Sequence, residues 1–196
     1  MKFFFKRHSF KRVPCKQSFL KRTWLLQFSI SLYLILGTTV SFAAIKTSNR
    51  SGTAGFSGQH AGMDFDGKFE RWQATLILPP KINSSIVATF YIDSAKTGDS
   101  IYDSTLPEFD WFDVENHPVG NFVSTNITLV QGGYQVSGNL TLKAITKPVD
   151  FMLIDSGKKL SASFDINRLV YQIGLESDPD AEWVSETISI SMLINK

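Results

Sequence analysis

Beyond residue 53 the chain alternates apolar and polar side chains with a period of two. Residues 86–92, 134–142, 160–166 and 188–194 each place an apolar side chain at every second position, the pattern of a strand buried on one face. Pro79-Pro80, Gly132-Gly133, Lys147-Pro148 and Asp155-Ser156-Gly157 separate these runs and read as turns. The spacing predicts about eight strands, and no stretch of about a dozen residues carries the 3.6-residue period of a helix. The periodicity therefore predicts an all-β sandwich or closed barrel. A last strand running almost to the final residue is what a barrel closed against its first strand would need. The exception is residues 100–114, acidic, aromatic-rich and irregular, where a long connection holding a short helical turn is expected.

The amino-terminal end is of another kind. Residues 1–22 are basic and irregular, residues 24–40 are almost wholly apolar, and Ser41-Phe42-Ala43 follows with small residues at the −3 and −1 positions of a cut after Ala43. This is the layout of a secretory signal peptide. The expected organisation is a signal peptide at 1–43, a flexible lead-in at 44–52 and one domain at 53–196. The alternative is that the apolar run stays as a membrane anchor, since it is only just short of the ~20 residues that span a bilayer. Either way the body is expected to cross a membrane. Cys15, the single cysteine, precedes the apolar run, so a mature chain would contain no disulfide and no thiolate metal site.

Charge changes the picture once the two ends are separated. The chain carries 20 Lys+Arg against 18 Asp+Glu, but eight of the basic residues and none of the acidic ones lie in the first 43 positions. The remainder holds 12 basic and 18 acidic residues, a net charge of −6, which argues against a nucleic-acid footprint. Catalytic signatures are weak. His60 and His117 sit in no zinc-ligand spacing, and Gly55-Phe56-Ser57-Gly58 falls short of a nucleophile elbow. The carboxylate clusters at 103–115 and 176–186 lack the spacing of a calcium loop and read as solvated loops. No metal or cofactor is expected. The Asn-x-Ser/Thr triplets at Asn83, Asn126 and Asn139 are given no role. Large apolar rings are in excess between Phe56 and Phe122, and inside a barrel such rings can either pack a solid core or line a cavity.

Five ordered segments carry a resemblance. The first is Gly55-Phe56-Ser57-Gly58-Gln59-His60-Ala61-Gly62, running on to Gly67-Lys68-Phe69. The second, Ile92-Asp93-Ser94-Ala95-Lys96-Thr97-Gly98-Asp99, is a strand followed by a Thr-Gly turn. The third is Trp111-Phe112-Asp113-Val114 with Pro118, Phe122 and Ser124. Gly138-Asn139-Leu140-Thr141, leading to Thr146-Lys147-Pro148-Val149, is the fourth. Phe164-Asp165-Ile166-Asn167-Arg168 with Trp183 and Glu186 closes the series. In this order they resemble the YceI-like, polyisoprenoid-binding family over essentially the whole of residues 53–196. Two departures stand out. Tyr102-Asp103-Ser104-Thr105-Leu106 lies where many members have Arg-Asp-x-His-Leu. Ala144 replaces a hairpin glycine, which is tolerable only if that position does not require positive φ.

The resemblance implies an eight-stranded antiparallel, lipocalin-like β-barrel, secreted to the periplasm. It implies storage or transport of an isoprenoid or quinone-type lipid in the apolar interior, without catalysis. Transient membrane contact and a homodimer are compatible with it. A tail lying in such a tunnel would gain roughly 0.8 kcal/mol per buried methylene. The expected wall is Phe56, Phe65, Phe69, Phe90, Trp111, Phe112, Phe122, Phe164 and Ile166. His60, Asp103, Asp113 and Arg168 are candidates at the mouth, each with a structural alternative: a satisfied barrel histidine for His60, a turn or helix cap for Asp113, a partner for the 176–186 carboxylates for Arg168. Two other functional classes remain open at this point: an enzyme or stress protein of the same fold acting on a lipophilic substrate, and a closed-core structural or partner-binding domain.

Overall fold

The computed structural model describes residues 44–196; the expected signal peptide lies outside the described residues. The chain forms strands β1 (Ile45–Ser48), β2 (Gly52–His60), β3 (Met63–Phe69), β4 (Trp72–Ile77), β5 (Ser85–Tyr91) and β6 (Ala95–Lys96), then helix α1 (Ser100–Thr105). Strands β7 (Val119–Val130), β8 (Gly133–Leu142), β9 (Ile145–Asp155), β10 (Lys159–Asn167) and β11 (Thr187–Asn195) complete it. All eleven lie in one antiparallel sheet.

Register reduces the eleven segments to eight staves. The pairs Gly55↔Lys68 of β2–β3 and Ser48↔Gln73 of β1–β4 run along one antiparallel ladder, interrupted at residues 49–51 and 70–71. Trp72↔Phe90 of β4–β5 and Phe69↔Ala95 of β3–β6 continue one another in the same way across residues 92–94. Hence β1/β2, β3/β4 and β5/β6 are three bent strands. Each stave pairs with the next in sequence, and β11 returns to β2 through Ser189↔Ser57 to Ile194↔Gly52, so the sheet closes on itself. The eight-stranded antiparallel barrel is therefore the architecture, with the short helix in the long connection.

Two local readings are corrected. The segment expected as a flexible lead-in forms β1 and pairs with β4 from Ile45↔Leu76 to Ser48↔Gln73; the ladder needs only its backbone, Ile45 packs against the core and Thr47 is buried. Lys147-Pro148 is not a turn but lies inside β9, with Pro148 opposite Asn139 of β8. The turn falls at Lys143-Ala144, a two-residue hairpin loop with φ of +46° and +60°. The hairpin thus does require positive φ at Ala144.

One ladder is incomplete. Between β9 and β10 only Asp155↔Leu160 and Ile154↔Ser161 pair, whereas β10 pairs with β11 along its full length. Pro148, which has no N–H to offer a ladder, lies on the stretch of β9 without a β10 partner. Across the gap the rings of Phe151 and Phe164 stack, with centroids 4.9 Å apart and planes at 13°.

One end of the barrel carries the long loops: the 61–62 and 143–144 turns, α1 with residues 106–118, and residues 168–186. Asp99 caps α1, its carboxylate accepting from the backbone N–H of Ile101 at 2.8 Å and of Tyr102 at 3.3 Å. The Nζ of Lys143 donates to the carbonyls of Phe109, Asp110 and Gln172 at 2.8–3.1 Å, tying the loops to the β8–β9 hairpin.

Candidate functional site

The barrel interior is hollow. It holds an apolar cavity of about 130 Å³, where a single water needs only roughly 10–15 Å³. Alternation brings Phe56, Phe65, Phe69, Phe90, Phe122, Phe164 and Ile166 to its wall from the strands, and Trp111 and Phe112 from the loop that follows α1. All nine expected wall residues line it. The rings form two runs of tilted or stacked contacts, Phe56–Phe69–Phe90 at 5.4–5.5 Å and Phe122–Phe151–Phe164 at 4.9–5.4 Å. Ala54, Ala74, Ala88 and Ala162 also face the lumen, and their single methyl groups leave the bore that large side chains would fill. The ring of Phe122 lies against Gly138, where a Cβ would come within 2.4 Å of it, so this glycine is what lets the ring sit against the wall.

Phe151 is a wall residue that the sequence analysis missed. Its signal was present in the alternation of Val149, Phe151 and Leu153, masked by reading Lys147-Pro148 as a turn. Tyr102 was also missed, because nothing in the sequence places α1 over the barrel.

His60 lies apart from the main lumen, in a second cavity of about 200 Å³ beneath α1. This chamber shares Phe65, Leu106, Trp111 and Val184 with the lumen. The Nδ1 of His60 is 2.7 Å from the hydroxyl of Tyr102, and the two rings meet edge to face at 5.3 Å.

Arg168 borders the lumen, but its polar atoms are engaged elsewhere. The side chain is 1% exposed. Its Nε donates to Ser185 O, Nη1 to the carbonyls of Ile173 and Gly174, and Nη2 to Asp178 Oδ2 at 2.6 Å and to the carbonyls of Asp178 and Val184. All five N–H groups are used within the protein. Burial pulls its pKa below the ordinary arginine value against the opposing pull of Asp178. Asp178 is pushed up by burial, yet N–H donation from Val184, Trp183 and Glu182 and the charge of Arg168 hold its carboxyl below the usual range. The arrangement is a rivet fastening residues 169–186 over the barrel rim.

The remaining mouth candidates do not touch either cavity. Asp103 accepts from the backbone N–H and the hydroxyl of Thr97 at 2.7 and 3.0 Å, and its carboxyl is held below the usual range first by that backbone bond. Asp113 is buried at φ +48° and accepts from Asn116 Nδ2 at 2.8 Å, with His117 Nε2 at 3.5 Å. Asp113 braces a turn, and Asp103 ties Thr97 to α1. Asp110, pushed up by burial, is pulled below the usual range by Ser177 and by the backbone N–H groups of Glu176 and Ser177. The buried hydroxyl of Tyr171 has no hydrogen-bond partner among the described residues, and burial pushes its pKa up to about 12. Among the described residues no cluster of His, Asp or Glu side chains could hold a metal ion.

Comparison with known proteins follows the same line. Residues 45–195 match the YceI-like domain family. A UPF0312 protein of Pectobacterium atrosepticum is 31% identical over 114 residues, 51% of this chain and 59% of that protein. One of Photorhabdus laumondii is 31% identical over 127 residues, 59% of this chain and 64% of that protein. The chain thus spans about three fifths of the length of these curated relatives. Among solved structures, Burkholderia cenocepacia BcnA superposes with a TM-score of 0.66 at 23% identity, over 73% of this chain and 94% of that one. A polyisoprenoid binding domain of Saccharophagus degradans, implicated in plant cell wall breakdown, superposes with a TM-score of 0.58 at 13% identity, over 79% of this chain and 99% of that one. At these identities the superpositions establish the fold.

Proposed function

The chain belongs to the YceI-like family, and from that premise we propose that it is a non-enzymatic carrier of an isoprenoid or quinone-type lipid, exported to the periplasm by residues 1–43. The observation that carries this reading is the hollow apolar bore of the barrel. Burial of a lipid tail there contributes roughly 0.8 kcal/mol per methylene, so shape and length alone supply affinity and no reaction is required. A hollow lumen also favours a carrier over a closed-core domain. The Saccharophagus relative, described as a polyisoprenoid binding domain, supports the same ligand class. Loading from a membrane suits the loop-bearing end, where Met63, Ile101 and Trp183 are all exposed around His60.

The test is mass spectrometry of the organic extract of protein exported and purified without denaturation. A prenyl lipid at one equivalent per chain is the expected result and names the cargo. An extract that stays empty after incubation with quinones and polyprenols overturns the carrier reading.

A further inference from the structure

We propose that the chamber beneath α1 receives the head of the bound lipid and selects an uncharged oxygen group, a carbonyl or a hydroxyl, over a phosphate. The inference rests on the carrier reading and goes beyond it by naming the head chemistry.

Position comes first. The chamber shares four wall residues, Phe65, Leu106, Trp111 and Val184, with the lumen, so a tail lying in the barrel brings its end group here. Its polar side chains are His60, Thr97, Tyr102 and Thr105. The hydroxyl of Thr97 donates to Asp103 and that of Thr105 to the carbonyl of Ile101, which spends both protons inside the protein. The His60–Tyr102 bond differs, because it engages one ring nitrogen and one hydroxyl and leaves the pair a donor and an acceptor in either tautomer. With Nδ1 as acceptor, Nε2–H donates and the tyrosine oxygen accepts; with Nδ1–H as donor, the tyrosine O–H donates and Nε2 accepts. Such a pair answers a quinone carbonyl or an alcohol equally well.

Charge then excludes the alternative. Among the described residues no lysine or arginine lines the chamber. Arg168, the cation at the lumen wall, has every N–H committed. Lys96, next to Thr97, lies 4.0 Å from the carboxylate of Asp103. A phosphate, carrying about −1.5 to −2 charges near neutrality, would enter the chamber with no cation among the lining residues to receive it, and a charge held unpaired against apolar walls is disfavoured.

The experiment holds the tail constant and varies the head. Exported protein, stripped of endogenous lipid, is titrated at pH 8, where imidazole is ordinarily neutral. The probes are menaquinone-4, geranylgeraniol and geranylgeranyl phosphate, with tryptophan quenching as the readout. The quinone and the alcohol are expected to bind at least about tenfold more tightly than the phosphate. Tyr102→Phe should weaken the preferred neutral head by about three- to tenfold, the worth of one hydrogen bond, and leave the phosphate unchanged. The ranking of the quinone against the alcohol separates the two sources of the neutral oxygen, and the wild-type ranking needs no variant to fold. A phosphate that binds as tightly as the neutral heads overturns the inference, as does a Tyr102→Phe protein with unaltered affinities. Failure of all three probes to bind overturns the carrier reading itself.

Discussion

At the scale of single residues, the chain keeps side chains where the backbone would prefer none. Ala144 adopts φ +60° in the two-residue β8–β9 loop, a conformation that costs a non-glycine residue roughly 1–2 kcal/mol. Ala144→Gly relieves it, against a larger unfolded-state entropy. The expected net gain is about 0.5–1 kcal/mol, a rise in Tm of a few degrees for a domain of this size, measured by thermal denaturation. An unchanged or lowered Tm would mean that the hairpin stores no strain. Its neighbour explains why the turn is kept in place: Lys143, at φ +46°, holds three carbonyls of the overlying loops. Strain in the hairpin and anchoring of the mouth are two consequences of one loop geometry.

At the scale of elements, the β9–β10 gap is the feature that sets this barrel apart from a uniformly bonded cylinder. Between residues 146–153 of β9 and 162–166 of β10 the facing backbone groups form no ladder, and the contact there is the Phe151–Phe164 stack. Amides without a partner exchange from small local openings rather than with global unfolding. Hydrogen exchange should therefore be faster by about two orders of magnitude or more for the β10-facing amides of β9 than for amides in the continuous β10–β11 ladder. Uniform protection around the barrel would show that the ladder closes in solution. Pro148 removes one donor from this stretch of β9.

At the scale of the whole molecule, the mouth loops are held by acidic groups whose carboxyls the fold keeps below their usual range. Asp178 and Asp110 both titrate low in the folded state and near 3.9 in the unfolded chain. A depressed carboxyl contributes stability that is present above the unfolded value and is lost as pH falls through the folded one. Stability should thus be flat from about pH 5 to 8 and decline below about pH 4. Asp178→Asn should flatten that acid limb and destabilise by about 3 kcal/mol, because Arg168 is left charged and buried without its counterion. Urea denaturation across pH 2.5–8 measures both. An acid limb unaltered in the variant would locate it in other carboxyls.

Much of the architecture could be read from the chain because a half-buried strand writes its period directly into the order of side chains. Residues 86–91, 134–142, 160–166 and 188–194 fall within β5, β8, β10 and β11, and Ile92 follows directly on β5. The seven wall residues on strands were accessible for the same reason, since a period of two fixes which face turns inward once the register is known, whereas Trp111 and Phe112 lie in the loop after α1 and no strand period places them. β1 was not legible, because four residues with one large apolar side chain, Ile45, are too few to show a period, and it is the neighbour's unpaired backbone that selects such a strand. Proline misled at 147–148 because its effect depends on whether a strand lies alongside. Arg168 and His60 show the remaining limit. Sequence by itself determined that a basic residue follows β10 and a histidine ends β2. Only the tertiary structure decided that the first is saturated by six acceptor contacts and the second faces Tyr102. These partners lie 5–42 positions away, and it is closure of the barrel and its loops, not local propensity, that brings them within hydrogen-bonding distance.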